Sequence, residues 1–251
     1  MTGWLDPVAR VLDERKTPLR VFVRNDDAGW CNTRLFQLLD VFAIQHFPVD
    51  LAVIPDAVDS ELVSELSVRR SGSPIGIHQH GFRHTNHEPP GRKCEFGAAR
   101  EPHAQRADLE TGRHMLLDRF GDGVDPIFTP PWNRCSEAAA RCLRDIGLTT
   151  LSRDESARAF GFDGLAECPI HVDWFAKRRQ ERMSQVEWSK YLAAQINRAA
   201  GTLGVMLHHA VMDDAERLAW RDVLRLLATH PNVTGTLMRD AARDRHARRV
   251  S

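Results

Sequence analysis

Short runs of apolar, β-branched residues alternate with amphipathic stretches along the whole chain. LRVFVR (Leu19 to Arg24) has the pattern of a buried strand. Behind it Leu35, Leu38, Leu39 and Phe42 recur at the spacing of one helix face, and Asn32 is the expected N-cap. VDLAVIP (Val49 to Pro55) repeats the strand pattern, a helix is expected from about Ser60 to Arg70, and PIGIHQH (Pro74 to His80) reads as a third strand. A stretch rich in Pro, Gly and His from Gly81 to Pro102 interrupts the alternation. It resumes with a helix from about Arg106 to Phe120, a strand PIFTP (Pro126 to Pro130), a helix capped by Ser136 and running to Asp145, and a strand LTTLSR (Leu148 to Arg153). CPIHV (Cys168 to Val172) reads as a further strand. Ser184 and Glu187 then form a capping box for a helix carrying Trp188, Leu192 and Ile196. LGVMLHH (Leu203 to His209) is the last strand of the pattern, and a final long helix puts Trp220, Val223, Leu224 and Leu227 on one face.

This alternation predicts an α/β fold with a parallel sheet, as a barrel or an open sheet. No low-complexity linker or internal repeat divides the chain, so residues 1–251 are expected to form a single domain. In either architecture the reacting groups belong where strands end and loops begin, at the C-terminal edge of the sheet.

Composition narrows the choice. The 34 basic and 34 acidic residues cancel, which argues against a nucleic-acid partner, since such proteins carry a basic excess. A local run of Arg239, Arg243, Arg245, Arg248 and Arg249 reads as a solvated helix end. No apolar run approaches a membrane span, and MTGWLDPVARVLDERK is charged throughout, unlike a signal peptide; the expectation is a cytoplasmic protein with no membrane partner. The 5 Cys are scattered without a Cys-x-x-Cys pair and read as small buried hydrophobes. The unusual feature is 12 His, four of which (His78, His80, His84 and His87) fall within ten residues.

The strand ends collect the chemistry. The first carries Arg24-Asn25-Asp26-Asp27, adjacent acids whose burial requires a compensating cation. The third carries His78, His80 and His84; one turn of helix after the strand would put His80 and His84 on the same side, a spacing used by zinc ligands. Phe128-Thr129-Pro130-Pro131-Trp132-Asn133-Arg134 reads as a stiff aromatic wall. His171-Val172-Asp173-Trp174 and Leu207-His208-His209 end two later strands. Two His and a carboxylate around a divalent cation leave positions open for water and substrate, the arrangement of a hydrolytic metal site.

These residues resemble the ordered motifs of the polysaccharide deacetylases of carbohydrate esterase family 4. Arg24 to Gly29 resembles the family's Thr-Phe-Asp-Asp-Gly, His80 and His84 match His-x-x-x-His, and Phe128 to Asn133 resembles its Pro- and aromatic-containing third motif. Asp173-Trp174 and Leu207 to His209 resemble the fourth and fifth. The resemblance implies an irregular (β/α)7 barrel. It implies that Asp27, His80 and His84 hold one divalent metal, zinc first with cobalt, nickel or manganese also accepted. It further implies that Asp26 is the general base, His208 or His209 the general acid, and Asp173 the support of that acid's charged form. Trp132, Pro131, Asn133, Trp174 and Leu207 would line the acetyl pocket.

Three departures stand out. Thr129 occupies the usual place of an Arg that orients the base; Arg24, two residues before Asp26 and so on the same strand face, is the candidate replacement, with Arg134 second. Alignment to the strand end favours His208 as the acid, whereas strict Leu-x-His spacing favours His209. The polar segment 85–102 beside the metal residues either shapes the pocket, meets an anionic group on the substrate, or is a surface excursion. The implied activity is metal-dependent removal of an N-acetyl group from a small amino sugar or glycoconjugate. The alternatives are hydrolysis of a C–N bond in a cyclic amide or ureide, as in allantoinase-like relatives, and a non-catalytic sugar-binding role.

Overall fold

The computed structural model of the protein describes residues 3–178 and 181–243. In chain order the elements are α1 (Asp6–Asp13), β1 (Leu19–Ala28), α2 (Asn32–Gln45), β2 (Val49–Val53), α3 (Ser60–Arg70) and β3 (Ile75–His80). Next come α4 (Pro102–Phe120), β4 (Val124–Thr129), α5 (Glu137–Asp145), β5 (Thr150–Leu151), β6 (Ala166–Glu167), β7 (Val172–Asp173) and the short antiparallel pair β8 (Lys177–Arg178) and β9 (Glu181–Arg182). The chain continues through α6 (Gln185–Arg198), β10 (Thr202–His208), α7 (Asp214–Thr229) and β11 (Val233–Gly235).

The main sheet runs β6-β5-β4-β3-β2-β1-β10-β7, with β11 beside the start of β1, and its pairings are parallel. Its two ends are joined by one run of chain. The N–H groups of Ala166, Cys168 and Ile170 donate to the carbonyls of Thr149, Leu151 and Arg153 beside β5, while those of His171 and Trp174 donate to Gly204 and Met206 of β10. Residues 166–174 therefore act as a single stave between β5 and β10, and with β1 to β5 and β10 they make the irregular seven-stave α/β barrel. This explains why the strand expected over Cys168 to Val172 is instead split between β6 and β7: the stave changes partner midway.

Strand alternation sorts the side chains into two layers. Val21, Val23, Leu51, Ile77, Val205 and Leu207 face outward and pack with α2, α6 and α7 residues such as Leu35, Leu192 and Trp220. Each such side chain contributes about 1.5–3 kcal/mol on burial. Phe22, Ile127, Cys168, Ile170, Met206 and Met238 point inward and fill the barrel. Above this apolar plug the inward positions turn polar, with Arg24, Asp26, His78, His80 and Thr129 all buried.

Local details refine the sequence expectations. The N-cap of α2 is Cys31, in the left-handed region at φ 50°; the Asn32 amide instead donates to the Asp59 carboxylate at 3.0 and 3.2 Å. The chain leaves β1 through a tight turn that delivers Cys31 in a conformation where no side-chain cap forms. Helix α4 starts at Pro102, four residues early, because proline suits the first helical turn. Ser136 accepts from the Ala139 N–H, and the Ser184–Glu187 capping box forms as expected. In the basic terminal run Arg239 pairs with Asp125 at 3.2 Å and Arg243 with Asp240 at 3.7 Å; Arg245, Arg248 and Arg249 lie outside the described residues. Among the described residues no helix is long and apolar enough to cross a membrane.

Candidate active site

The ends of β1, β3, β5 and β10 converge on one polar cluster at the C-terminal edge of the barrel. Its base is Arg24, fully buried, whose Nε and Nη2 donate to the two oxygens of Asp26 at 2.7 and 2.8 Å. Two residues apart on one strand, both side chains point inward, which makes this bidentate pairing possible. Every nitrogen of the guanidinium is used: Nη1 donates to Ser152 Oγ at 2.7 Å, and Nη2 also reaches Asn133 Oδ1 at 2.8 Å and Met206 Sδ at 3.0 Å. Burial pushes the Asp26 carboxyl up, but Arg24, His80 and His208 outweigh it and hold it below the usual carboxylate range. Asp26 is thus an ionised carboxylate with its orientation fixed. Arg134, the second candidate for this task, is turned elsewhere and donates to the Lys93 carbonyl at 3.1 Å.

Asp27, His80 and His84 present one ligand atom each, all within 4.8 Å of one another. Asp27 adopts φ 67°, which breaks strand alternation and brings its side chain to the same rim as that of Asp26. Its Oδ1 lies 3.2 Å from His80 Nε2 and 3.3 Å from His84 Nε2. His80 Nδ1 donates to the Thr129 carbonyl at 3.0 Å, so Nε2 of the neutral ring is a lone pair aimed at a carboxylate oxygen. Only a proton or a cation between those two acceptors relieves the repulsion. Burial pulls His80 down, yet Asp27 and Asp26 raise it above the ordinary histidine value, while Asp27 is held far below its own. Donor types, spacing and tautomer all fit a divalent cation.

His84 does not arrive by a helical turn, as its spacing from His80 predicts. The segment is irregular, with Gly81 at φ 57° and His84 at φ 58°. What fixes it is Glu95, buried in the 85–102 segment, which accepts from the backbone N–H groups of Phe82 (3.1 Å), Arg83 (2.8 Å) and Thr85 (3.4 Å). Gly81 is required there because a Cβ would collide with Glu95 and Pro131. Glu95 has no periodic signal; its only mark in the sequence is its place between Cys94 and Phe96. His78 stays below the rim, its Nε2 on Thr129 Oγ1 at 2.9 Å, and burial pushes it down to about 3.

Across the site the strand-end histidines divide. His208 faces the cluster, with Nε2 3.9 Å from Asp26 Oδ2. His209 is buried, donates Nε2–H to the Trp30 carbonyl at 2.7 Å, and accepts at Nδ1 from the Asn25 amide at 2.9 Å. It ties the Trp30 turn to the barrel, and burial lowers its pKa. Asp173 lies within electrostatic reach of His208 and Asp26 and accepts from the Phe175 N–H at 2.9 Å; burial and the Asp26 charge raise its pKa.

Two expected pocket residues point the wrong way. Trp174 stacks on Trp188 at 4.6 Å and meets Trp220 at 5.3 Å in the outer core, because it neighbours the inward Asp173 on a strand. Leu207, next to His208, is likewise buried against the helices. The aromatic on the site side is Phe175, edge-on to His208 at 5.8 Å, a residue that the i, i+2 relation to Asp173 marks. Trp174→Ala is therefore expected to cost about 3–5 kcal/mol of stability, read by thermal melting, with the KM of the folded fraction unchanged; a raised KM at unchanged stability contradicts this placement.

The remaining wall is as stiff as its prolines imply. Pro131 is buried, and Trp132 and Asn133 both sit at φ 57° in a short 3-10 turn. The Trp132 ring lies 4.5 Å from His84, and Trp30, 39% exposed, meets His84 edge-on at 4.8 Å, so two indoles flank this imidazole. Asn133 accepts from Arg24 at its Oδ1 and so braces the Arg24–Asp26 pair rather than lining the pocket.

A seven-stave barrel carrying an Asp/His/His trio beside an Arg-clamped carboxylate defines the class of structure. Comparison with solved structures places the fold among the polysaccharide deacetylases and family 4 carbohydrate esterases. A Mycobacterium smegmatis protein assigned as a polysaccharide deacetylase aligns at TM-score 0.72 and 16% identity, over 95% of this chain and 93% of that one. A family 4 carbohydrate esterase from Streptomyces lividans, in complex with acetate, aligns at TM-score 0.56 and 12% identity, over 87% and 92%. A family 4 acetyl xylan esterase from Clostridium thermocellum, in complex with a cobalt ion, aligns at 0.52 and 12%, over 82% of each chain. No protein-family model and no curated protein sequence matches this chain.

Proposed function

We propose that the protein is a metal-dependent hydrolase that removes an N-acetyl group from an amino sugar or glycoconjugate. The carrying observation is the pairing of an ionised carboxylate, Asp26 clamped by Arg24, with the Asp27–His80–His84 trio and with His208 on the far side. Solved structures sharing the fold include esterases holding acetate and cobalt, which supports both the leaving acyl product and the cation.

Asp27, His80 and His84 would hold the cation, with zinc the first choice and cobalt, nickel or manganese alternatives. A divalent cation there supplies Lewis-acid polarisation of a carbonyl and brings the pKa of water toward about 7. Asp26 takes a proton from the attacking water, and Arg24 keeps its lone pairs aimed at the rim. A backbone N–H of the stiff Pro130 to Trp132 segment would be the donor to the developing oxyanion. His208 gives a proton to the departing amine, and Asp173 stabilises its charged form. Trp30, Trp132 and Phe175 exclude water and pack on the substrate. His209 is left as a structural residue. The substrate in this reading is a small amino sugar or glycoconjugate met in the cytoplasm.

The test is the product. Zinc-loaded protein incubated with N-acetylglucosamine and its oligomers is expected to release acetate, and apo protein is not. Accumulation of a ring-opened ureide from allantoin, with no acetate from any sugar, selects the cyclic-amide chemistry instead.

A further inference from the structure

The segment 85–102 does more than hold His84. Two of its carboxylates accept from backbone: buried Glu95 from Phe82, Arg83 and Thr85, and half-buried Glu88 from the Ala99 N–H at 2.8 Å. Of its cations, Arg100 pairs with Asp108 at 2.7 Å, whereas among the described residues Arg92 and Lys93 make no such contact. Arg92 and Lys93 are exposed, and Arg134 crosses from the Trp132 turn to donate to the Lys93 carbonyl at 3.1 Å, which brings the three cationic residues together. Among the described residues no carboxylate pairs with Arg92, Lys93 or Arg134. Other cations near the rim are neutralised or engaged: Arg182 pairs with Glu216, Arg83 with Asp56 at 3.4 Å, and Arg34 donates to the Ala210 carbonyl at 2.6 Å. Burial first and the neighbouring Arg92 charge second lower the Arg134 pKa, against a smaller opposing effect of Cys94.

The position of these unpaired cations gives them meaning. Lys93 Nζ stands 5.9 Å from the Trp132 ring centroid, and that same indole packs at 4.5 Å on His84. The cations thus begin one aromatic ring away from a candidate metal ligand. Lys93 lies over the indole in a cation–π contact, so a sugar substituent that reaches the rim beside Trp132 meets a positive charge.

We propose that the substrate carries an anionic group, a carboxylate or a phosphate, next to the sugar that bears the acyl group, and that Arg92, Lys93 and Arg134 bind it beyond Trp132. The reaction class rests on the function proposed above; the anion site rests on the charge distribution alone. Its net effect is local, because the chain as a whole has no net charge to steer an anion.

The test uses the full chain, wild type and an Arg92→Ala/Lys93→Ala double variant. Four probes are compared: N-acetylglucosamine, its 1-phosphate and 6-phosphate, and N-acetylmuramic acid. Acetate release is measured on zinc-loaded protein, and binding is measured separately on apo protein by tryptophan fluorescence, since Trp132 lies in the site. One or more anionic probes are expected to bind and to reach half-saturation about ten- to hundredfold below the neutral sugar. That preference should collapse toward unity in the double variant and shrink as NaCl is raised. Whether a phosphate or the carboxylate gains most identifies the group. Equal binding of neutral and anionic probes, or a preference that survives the double variant, overturns the proposal. If no sugar yields acetate the function reading fails, and the binding comparison still decides the anion site by the same criterion.

Discussion

Asp26→Asn is expected to keep its bound metal and to lose activity by about 10²–10⁴-fold, the range supplied by a positioned general base. The same substitution leaves Arg24 buried without its counter-charge, so a stability loss of about 3–5 kcal/mol accompanies it. Arg24→Met separates the two roles. Without the guanidinium, burial dominates and the Asp26 carboxyl rises, so the acid limb of the kcat/KM profile moves to higher pH and activity returns on the alkaline side. The linkage has a definite sign. In the wild type the depressed Asp26 adds stability that is present above its unfolded value and lost as pH falls through the folded one; in Arg24→Met that contribution reverses and grows less favourable as pH rises. The double variant Arg24→Met/Asp26→Asn removes both charges and is expected to be more stable than the sum of the single losses implies, because the residues are in direct contact. Full activity in Asp26→Asn, measured by acetate release with zinc content checked, removes Asp26 from the mechanism.

His80→Ala is expected to abolish stoichiometric zinc binding, with an affinity loss beyond the ~10–100-fold that an outer-shell change costs. A second signature needs no substrate. In apo protein His80 is raised by its carboxylate neighbours, so it contributes stability that is complete below the unfolded histidine value and is lost as pH rises through the folded one. Added zinc should reverse that alkaline loss, with a gain of about 2.7 kcal/mol when free zinc reaches a hundred times its Kd. Melting curves of apo and zinc-loaded protein from about pH 6 to about pH 9, spanning histidine titration, measure both the alkaline loss and its reversal. His80→Ala should show neither the pH dependence nor the zinc response. Retention of both in the variant places the metal elsewhere.

Strand periodicity made most of this legible. The alternation of apolar runs and helix faces specified a parallel α/β fold and left barrel and open sheet both standing, the family resemblance implied the barrel, and the position of chemistry at strand ends followed from fold geometry alone. The i, i+2 rule predicted that Arg24 and Asp26 share a face, and the structure has them in a bidentate pair. The same rule, applied to every strand end, excludes Trp174 and Leu207 from the pocket, brings in Phe175 and puts Met206 under Arg24; reading Asp173-Trp174 and Leu207 to His209 as motif units concealed it. Positive φ at Asp27 and His84 was not readable, since neither position is a glycine and the constraint comes from distant partners. Glu95 was invisible for a related reason. Its value lies in three amides of another segment, and an irregular stretch carries no periodicity from which such contacts can be inferred.

The most direct test of the central claim is acetate release from N-acetylglucosamine substrates as a function of zinc bound per chain. Activity is expected to rise with occupancy to a plateau at about one zinc, the capacity of a single three-ligand site, to vanish on chelation and to return on adding zinc back. Acetate release that is indifferent to chelation, or that persists in His80→Ala, contradicts it.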